Sequence, residues 1–169
     1  MATFSTLWSK FPDPNAMKKL CVNKQKHSQS PFGNYCAINL SECFNRSGIF
    51  VNQAPGRKCW SHKGAHHLLL AEDFARWLNL ARPAGFGKTE NIAPRDFQST
   101  LEGKRGVVFF KDYWRRGTEA EANRSGDHID LWNKDEITSS SMMWRGVIEF
   151  LGLVSDLNAS KKIWFWEVK

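Results

Sequence analysis

The sequence predicts an α+β fold, with helices in the first half of the chain and an antiparallel sheet in the second. Apolar residues recur at helical spacing up to Leu80, whereas residues 106–111 begin a series of apolar, β-branched and aromatic runs of strand length. The chain has 169 residues, with no internal repeat and no low-complexity linker. We therefore expect one domain over residues 1–169, built around a single core.

Four helices are predicted before the sheet. Gly48 is suited to the C-cap of the third helix, Ser61 to the start of the fourth, and the proline and glycines of residues 83–87 to its end. The four helices are expected near residues 6–10, 15–26, 36–47 and 65–80.

The second half alternates between strand patterns and polar connections. A short helix is expected near residues 94–102, an exposed loop over 115–126 and a last helix near 144–151. The strands of the antiparallel sheet are expected near residues 106–111, 128–133, 137–141 and 163–168.

The charge of the chain points to an anionic partner without identifying it. The formal net charge is +7, and the basic residues are spread along the chain with no helix-long basic stripe, which argues against a specific nucleic-acid site. No segment approaches the roughly 20 apolar residues of a membrane span, so no membrane insertion is expected. Residues 1–14 lack the basic and apolar regions of a secretory signal peptide, and we expect none.

Cys36 is the strongest candidate for chemistry. It follows the turn-forming segment 32–34 and begins a predicted helix. Unpaired backbone N–H groups and the positive end of the helix dipole favour thiolate over thiol at such a position. We expect Cys36 to be a nucleophile whose own N–H helps to hold the oxyanion. The alternative is a small buried apolar side chain, as most free cysteines are.

A base for this nucleophile is expected in the segment 126–133, which has the sequence GDHIDLWN. Strand alternation places His128 and Asp130 on one face. A cysteine early on a helix and a histidine late on a strand follow the order of papain-like cysteine hydrolases. Cys36 and His128 are therefore the predicted catalytic pair, in which His128 first stabilises the thiolate and then protonates the leaving amine.

A metal-binding module is a competing interpretation, because one cysteine and three histidines lie close together in sequence. They are Cys59, His62, His66 and His67. His62 and His66 have the i, i+4 spacing that two ligands on one helix need. No further cysteine or acidic ligand stands at zinc-finger spacing, so histidines exposed at a helix start are the favoured interpretation. We expect no metal and no cofactor.

The cysteines and the aromatic residues also raise the questions of a disulfide and of a nucleic-acid-binding module. If Cys36 is the nucleophile and Cys43 lies on the buried side of its helix, any bridge joins Cys21 to Cys59, although spacing alone does not establish one. Trp and Phe side chains can stack on nucleic-acid bases. Here they stand in apolar runs such as residues 163–166, which favours core packing and no nucleic-acid partner.

Several of these segments together resemble the type VI secretion amidase effectors of family 4, bacterial toxins with an NlpC/P60-like, papain-related fold. The resemblance implies N-terminal helices, with the catalytic cysteine at a helix start, packed on an antiparallel sheet that carries the catalytic histidine. The segments are 36–41 (CAINLS), 44–48 (FNRSG), 106–110 (GVVFF) and 126–133 (GDHIDLWN).

The resemblance also implies a function. It implies a peptidoglycan amidase that cuts the amide between D-glutamate and meso-diaminopimelate in the peptide stem. Such a toxin is made in the cytoplasm, leaves it without a signal peptide and is delivered by the type VI secretion apparatus to the periplasm of a rival bacterium. Its expected partners are the stem peptide, that apparatus and a cognate periplasmic immunity protein.

The residue that orients His128 is open between two positions. In the family, the third catalytic residue is acidic and lies on the strand after the histidine strand, where this chain has Ser139. A two-residue turn at residues 134–135 would set Asp130 opposite Ser139, with both on the face of His128. Either side chain is therefore a candidate, since a neutral acceptor also fixes the tautomer in this class of enzyme.

Overall fold

The computed structural model describes residues 2–25, 28–64, 66–138, 140–141 and 157–169. The chain divides into two compact units, Met1–Gly85 and Phe86–Lys169. Helices dominate the first unit and an antiparallel sheet dominates the second, which confirms the α+β prediction. The expectation of one domain over residues 1–169 stays a prediction.

The first unit contains four helices and a small hairpin among its described residues. α1 is capped by the Thr3 side chain, which accepts from Thr6 N. α2 begins with Pro14 directly after Asp13, whose side chain accepts from Asn15 N. The elements are α1 (Phe4–Ser9), α2 (Pro14–Leu20), β1 (Asn23–Gln25), β2 (Ser28–Ser30), α3 (Cys36–Arg46) and α4 (Ala71–Ala81).

Two helix boundaries differ from the predictions by more than two residues, and Ser61 explains one of them. α2 ends at Leu20 rather than near residue 26, because the Ser61 hydroxyl donates to Leu20 O and accepts from Val22 N, both at 3.0 Å. The chain then turns into the antiparallel pair β1 and β2. Ser61 is therefore a support for the end of α2 and not the cap of α4.

The start of α4 is the second difference. It begins at Ala71 rather than near residue 65, since Leu68 forms a β-bridge with Lys58 and its N–H donates to the Ser41 hydroxyl at 3.0 Å. The backbone at Leu70 is still extended. His62, His66 and His67 consequently lie in a loop and not on a helix.

The second unit is organised around a sheet of six strands among the described residues, with the order β3-β8-β4-β5-β6-β7 and antiparallel pairing throughout. The short helical segments Pro94–Asp96 and α5 (Phe97–Leu101) precede β4, as predicted. The strands are β3 (Glu90–Ile92), β4 (Arg105–Trp114), β5 (Gly126–Asn133), β6 (Glu136–Ile137), β7 (Ser140–Ser141) and β8 (Lys162–Glu167).

β4 is the central strand, paired with β5 on one side and β8 on the other, as its apolar run predicts. β3 was not predicted, and the strand expected over 137–141 is divided into β6 and β7. The helix expected near 144–151 and Ser139 lie outside the described residues. Among the described residues, none of the helices has the length and apolar composition that crossing a membrane requires.

The core of the second unit lies against β4 and contains mainly aromatic and branched side chains. Trp132 belongs to it, with its indole N–H donating to Leu101 O at 2.9 Å. Phe97 packs edge-on against both Phe110 and Trp132. The cluster comprises Ile92, Phe97, Leu101, Val108, Phe110, Trp132, Ile137, Leu157, Ile163 and Phe165.

Gly106 allows β4 and β8 to approach closely, which gives a test of the central sheet. A Cβ at Gly106 would lie 2.1 Å from Trp166 O, whereas a Cβ at Gly33 would meet nothing within 4 Å. We expect Gly106→Ala to lower the free energy of unfolding by about 2 kcal/mol, because backbone atoms must move apart. Gly33→Ala is the matched control and should change it by less than about 1 kcal/mol. Denaturant unfolding measures the free energy of unfolding of both variants. Equal changes would contradict the close approach of β4 and β8 at Gly106.

Candidate functional site

Cys36 is the first residue of α3, at the position that the sequence predicts. The turn before it is held by Tyr35, whose hydroxyl donates to Cys21 O at 2.7 Å and accepts from Phe32 N at 3.1 Å. Tyr35 itself is buried, so these hydrogen bonds are shielded from water. They fix where the helix begins and therefore where the Cys36 thiol is presented.

The surroundings of Cys36 differ from those of the other cysteine on the same helix. Cys43 is fully buried and its thiol donates to Leu7 O at 3.1 Å, which makes it part of the packing between α1 and α3. Cys36 is only partly buried. The interpretation of a small buried apolar side chain fits Cys43 and does not fit Cys36.

The backbone N–H of Cys36 already has a partner. It donates to Oδ1 of Asn34 at 2.9 Å, the pattern of an Asx turn at a helix start. An oxyanion could use this N–H only by displacing the Asn34 side chain. The expected oxyanion role of Cys36 therefore stays a prediction. Asn34 was expected only as a turn-forming residue, and its bond to the Cys36 amide was not.

His128 lies in β5 directly opposite Phe110 of β4. The pairing of these strands is irregular between Phe110 and Trp114, where Asp112 adopts a positive φ of 53°. Oδ1 of Asp127 accepts from Asp112 N at 2.9 Å and so holds the irregular segment in place. Bulges of this kind are frequent beside active sites, because they redirect the strand that bears a reactive group.

Aromatic rings and a carboxylate surround the imidazole of His128. Its ring stacks on Phe110 with centroids 6.4 Å apart, and Tyr113 meets it edge-on at 6.1 Å. Nε2 lies 3.2 Å from Oδ2 of Asp130. The structure thus brings together two of the predicted site residues, His128 and Asp130.

Asp130 is well held for an orienting role. It is 4% exposed, and its Oδ1 accepts from Leu131 N at 2.8 Å and from the hydroxyl of Thr138. Thr138 was not among the predicted site residues. Ser139, the second orienting candidate, lies outside the described residues. Nε2 is the ring nitrogen of His128 that is directed at the carboxylate of Asp130.

A second cluster of reactive side chains occupies the first unit. Cys21, Cys59, His62 and His67 each offer one ligand atom, and these four atoms lie within 4.8 Å of one another. His66 is not among them, and its Nδ1 lies 2.9 Å from Cys59 O. Cys21 and Cys59 are both free thiols.

The ionisation of this cluster is shifted by burial. Burial, followed by the hydrogen bond and charge of Cys59, raises the pKa of the Cys21 thiol far above its ordinary range. Burial also lowers the pKa of His67, although Glu42 at 2.9 Å acts in the opposite direction. Cys21 was not among the ligands considered from the sequence. The available signal was its pairing with Cys59, which the sequence left open as a possible bridge.

The chain matches the protein family described as type VI secretion system (T6SS), amidase effector protein 4 over residues 32–166. This range includes Cys36, His128 and Asp130. No curated protein matches the chain at a significant level.

Solved structures of similar fold are known. The type VI effector Tae4 from Enterobacter cloacae has a TM-score of 0.66 at 18% identity, with 100% of this chain and 98% of that chain covered. The Tae4–Tai4 effector–immunity complex from Salmonella Typhimurium has a TM-score of 0.64 at 17% identity, with 100% and 99% covered. The corresponding complex from Enterobacter cloacae has a TM-score of 0.60 at 17% identity and the same coverage. The TM-scores show a shared fold, and at these identities the likeness shows the fold alone.

The Tyr35 hydroxyl provides a test of how the start of α3 is held. We expect Tyr35→Phe to lower the free energy of unfolding by about 1 to 2 kcal/mol, because Cys21 O and Phe32 N lose their partner in a buried place. Tyr113→Phe is the matched control, since its hydroxyl makes no hydrogen bond within the described part of the chain. Denaturant unfolding, with hydrogen exchange of the α3 amides, checks the effect. Equal free energies of unfolding for the two variants would show that the hydrogen bonds of the Tyr35 hydroxyl do not stabilise the protein.

Proposed function

The chain belongs to the type VI secretion system amidase effector protein 4 family, and on this premise we propose that it is a peptidoglycan amidase. The bond proposed is the amide between D-glutamate and meso-diaminopimelate in the peptide stem. The observation that carries the proposal is the pair His128–Asp130, held at 3.2 Å in the matched range that also contains Cys36 at the start of a helix.

The proposed reaction uses Cys36 as the nucleophile. Its thiolate attacks the carbonyl carbon of the D-glutamyl amide while His128 carries the proton as an imidazolium. That proton passes to the leaving amine of diaminopimelate as the C–N bond breaks, which leaves an acyl-enzyme. Neutral His128 then takes a proton from water, the hydroxide attacks the thioester, and the thiolate leaves with the D-glutamyl carboxylate released.

Asp130 is the proposed orienting residue in this reaction. Its carboxylate accepts from Nε2 of His128, which selects the tautomer with the proton on Nε2 and stabilises the imidazolium. Thr138 and the Leu131 amide hold the other carboxylate oxygen, so Asp130 has little freedom to turn away. The acidic partner would then come from the histidine strand itself and not from the following strand.

The side chain of Asn34 must leave the Cys36 N–H before that N–H can bind an oxyanion. The Cys36 N–H donates to Asn34 in this structure, so the substrate carbonyl oxygen must replace that acceptor as the tetrahedral intermediate forms. An oxyanion is a stronger acceptor than an amide oxygen, which favours this exchange in the transition state. The N–H would then stabilise the transition state more than the ground state.

The proposed function also includes how the protein reaches its substrate and how the producing cell is protected from it. The protein would be delivered by the type VI apparatus to the periplasm of a target bacterium, where its substrate lies. Because two of the similar structures are effector–immunity complexes, we expect a cognate immunity protein that blocks the site in the producing cell. The net charge of +7 would favour attraction to the carboxylates and phosphates of the wall.

Replacement of the nucleophile is the first test of this function. We expect Cys36→Ala to lower the release of stem-peptide fragments from purified sacculi by more than about a thousandfold, because no acyl-enzyme can form. The melting temperature should stay close to that of the parent, since Cys36 is only partly buried. Mass spectrometry of the muropeptides identifies the bond that is cut. Fragment release at the parent rate, or cleavage at another amide, would rule the assignment out.

Replacement of Asp130 tests the orienting role. We expect Asp130→Ala to lower kcat by roughly tenfold to a thousandfold with a smaller change in KM, because the imidazole loses its fixed tautomer. The pH profile of kcat should also shift, which a purely structural defect would not produce. Asp135→Ala is the matched control, since Asp135 is an exposed acid in the turn after β5. An unchanged kcat in Asp130→Ala would leave the orienting role to another residue.

A further inference from the structure

We propose that Cys21, Cys59, His62 and His67 form a tetrahedral structural zinc site in the first unit. This site is separate from the proposed amidase chemistry and does not depend on it. All four residues lie between the end of α2 and the start of α4.

The distances within the cluster are close to those of a zinc site. Sγ of Cys21 lies 3.2 Å from Nε2 of His62 and 3.1 Å from Nδ1 of His67. Bond lengths of about 2.3 Å to sulfur and about 2.0 Å to nitrogen place tetrahedral ligand atoms roughly 3.3 to 3.8 Å apart. Small side-chain adjustments therefore suffice for the four atoms, all within 4.8 Å of one another, to surround one ion.

In each histidine, the ring nitrogen that faces away from the cluster has a hydrogen-bond acceptor. The nitrogen that faces the cluster is therefore left with a lone pair for the metal. Nδ1 of His62 lies 3.1 Å from Lys63 O, so this nitrogen carries the proton and Nε2 presents its lone pair. Nε2 of His67 lies 2.9 Å from Oε2 of Glu42, so this nitrogen carries the proton and Nδ1 presents its lone pair. A carboxylate behind a ligating histidine is a frequent feature of zinc sites.

Glu42 is itself fixed in position. Its other carboxylate oxygen pairs with Nε of Arg46 at 2.7 Å, one turn further along α3. His67 is 1% exposed and the Glu42 side chain 19% exposed, so the histidine side of this contact is shielded from bulk water. The ring orientation of His67 is therefore set before any ion binds.

The chemistry of the donor set favours zinc in a structural role. Two thiolates and two neutral imidazoles are the Cys₂His₂ set that holds Zn²⁺ in closed sites. Cys21, Cys59 and His67 are buried, and only His62 is partly exposed. Binding of one Zn²⁺ would release the two thiol protons to solvent and leave a site with no net charge.

The bound ion would connect three parts of the first unit. Cys21 is the C-cap of α2, and Cys59, His62 and His67 belong to the loop between α3 and α4. Glu42 links His67 to α3, and Tyr35 at the start of α3 donates to Cys21 O. The long loop before α4 would gain a cross-link in a region with little regular structure of its own.

Metal content is the first measurement. The full chain, purified after expression with zinc and passed through gel filtration, should retain about one zinc per molecule by elemental analysis. Cys59→Ser and His62→Ala should each lose most of it. His66→Ala and Cys36→Ser are the matched controls, since neither side chain belongs to the cluster, and both should keep the parent content.

A second measurement uses the parent protein and does not rely on variants that fail to fold. Removal of zinc with a strong chelator should lower the melting temperature by at least about 5 °C, and added Zn²⁺ should restore it. Co²⁺ added to the stripped protein should give the intense visible bands of tetrahedral cobalt and a thiolate-to-cobalt charge-transfer band.

Several results would overturn the site. A stripped protein with an unchanged melting temperature, an octahedral cobalt spectrum, or zinc lost on gel filtration would show adventitious binding only. A Cys21–Cys59 disulfide in protein purified with zinc, detected by the mass of the unreduced chain, would show that the thiols serve another purpose. The amidase assignment would be unaffected by any of these results, because it is judged by muropeptide release.

Discussion

The buried hydrogen bond from the Tyr35 hydroxyl to Cys21 O connects the two parts of the first unit that bear its candidate chemistry. It joins the residue immediately before α3 to Cys21, the C-cap of α2. Through Tyr35 it helps to hold the start of α3, and through Cys21 it helps to place one member of the cysteine–histidine cluster. A single buried hydrogen bond thus supports both the start of α3 and the cysteine–histidine cluster. Only a tyrosine among the aromatic residues has the hydroxyl that makes this bond.

In the second unit, the pairing of β4 and β5 likewise supports more than one feature of the candidate site. Regular pairing over Arg105–Phe110 places His128 opposite Phe110, and the irregularity that follows lets Asp127 hold the β4 backbone. Two residues further along β5, Asp130 lies on the same face and meets the imidazole. Strand alternation and one bulge therefore suffice to build a histidine–carboxylate pair from a short segment.

Local patterns predicted most elements whose stability is decided locally. α3 and the strands β4, β5 and β8 have strong apolar periodicity, and each was expected close to its observed place. The errors at the end of α2 and the start of α4 occur where a distant side chain competes for backbone groups. Ser61 captures the amide and carbonyl groups at the end of α2, and Ser41 captures the Leu68 amide before α4. Such competition has no signature within a local window.

The sequence by itself determined the class of fold, the start of α3 at Cys36 and the shared face of His128 and Asp130, because each follows from helical or strand periodicity and from turn-forming residues. The Asx turn from Asn34 to the Cys36 amide is likewise local, since it joins residues two apart. Only the tertiary structure decided that His62 and His67 join Cys21 and Cys59, and that Thr138 supports Asp130. These partners come from separate elements or from beyond a turn, so chain folding brings them together and their spacing in the sequence does not encode the contacts.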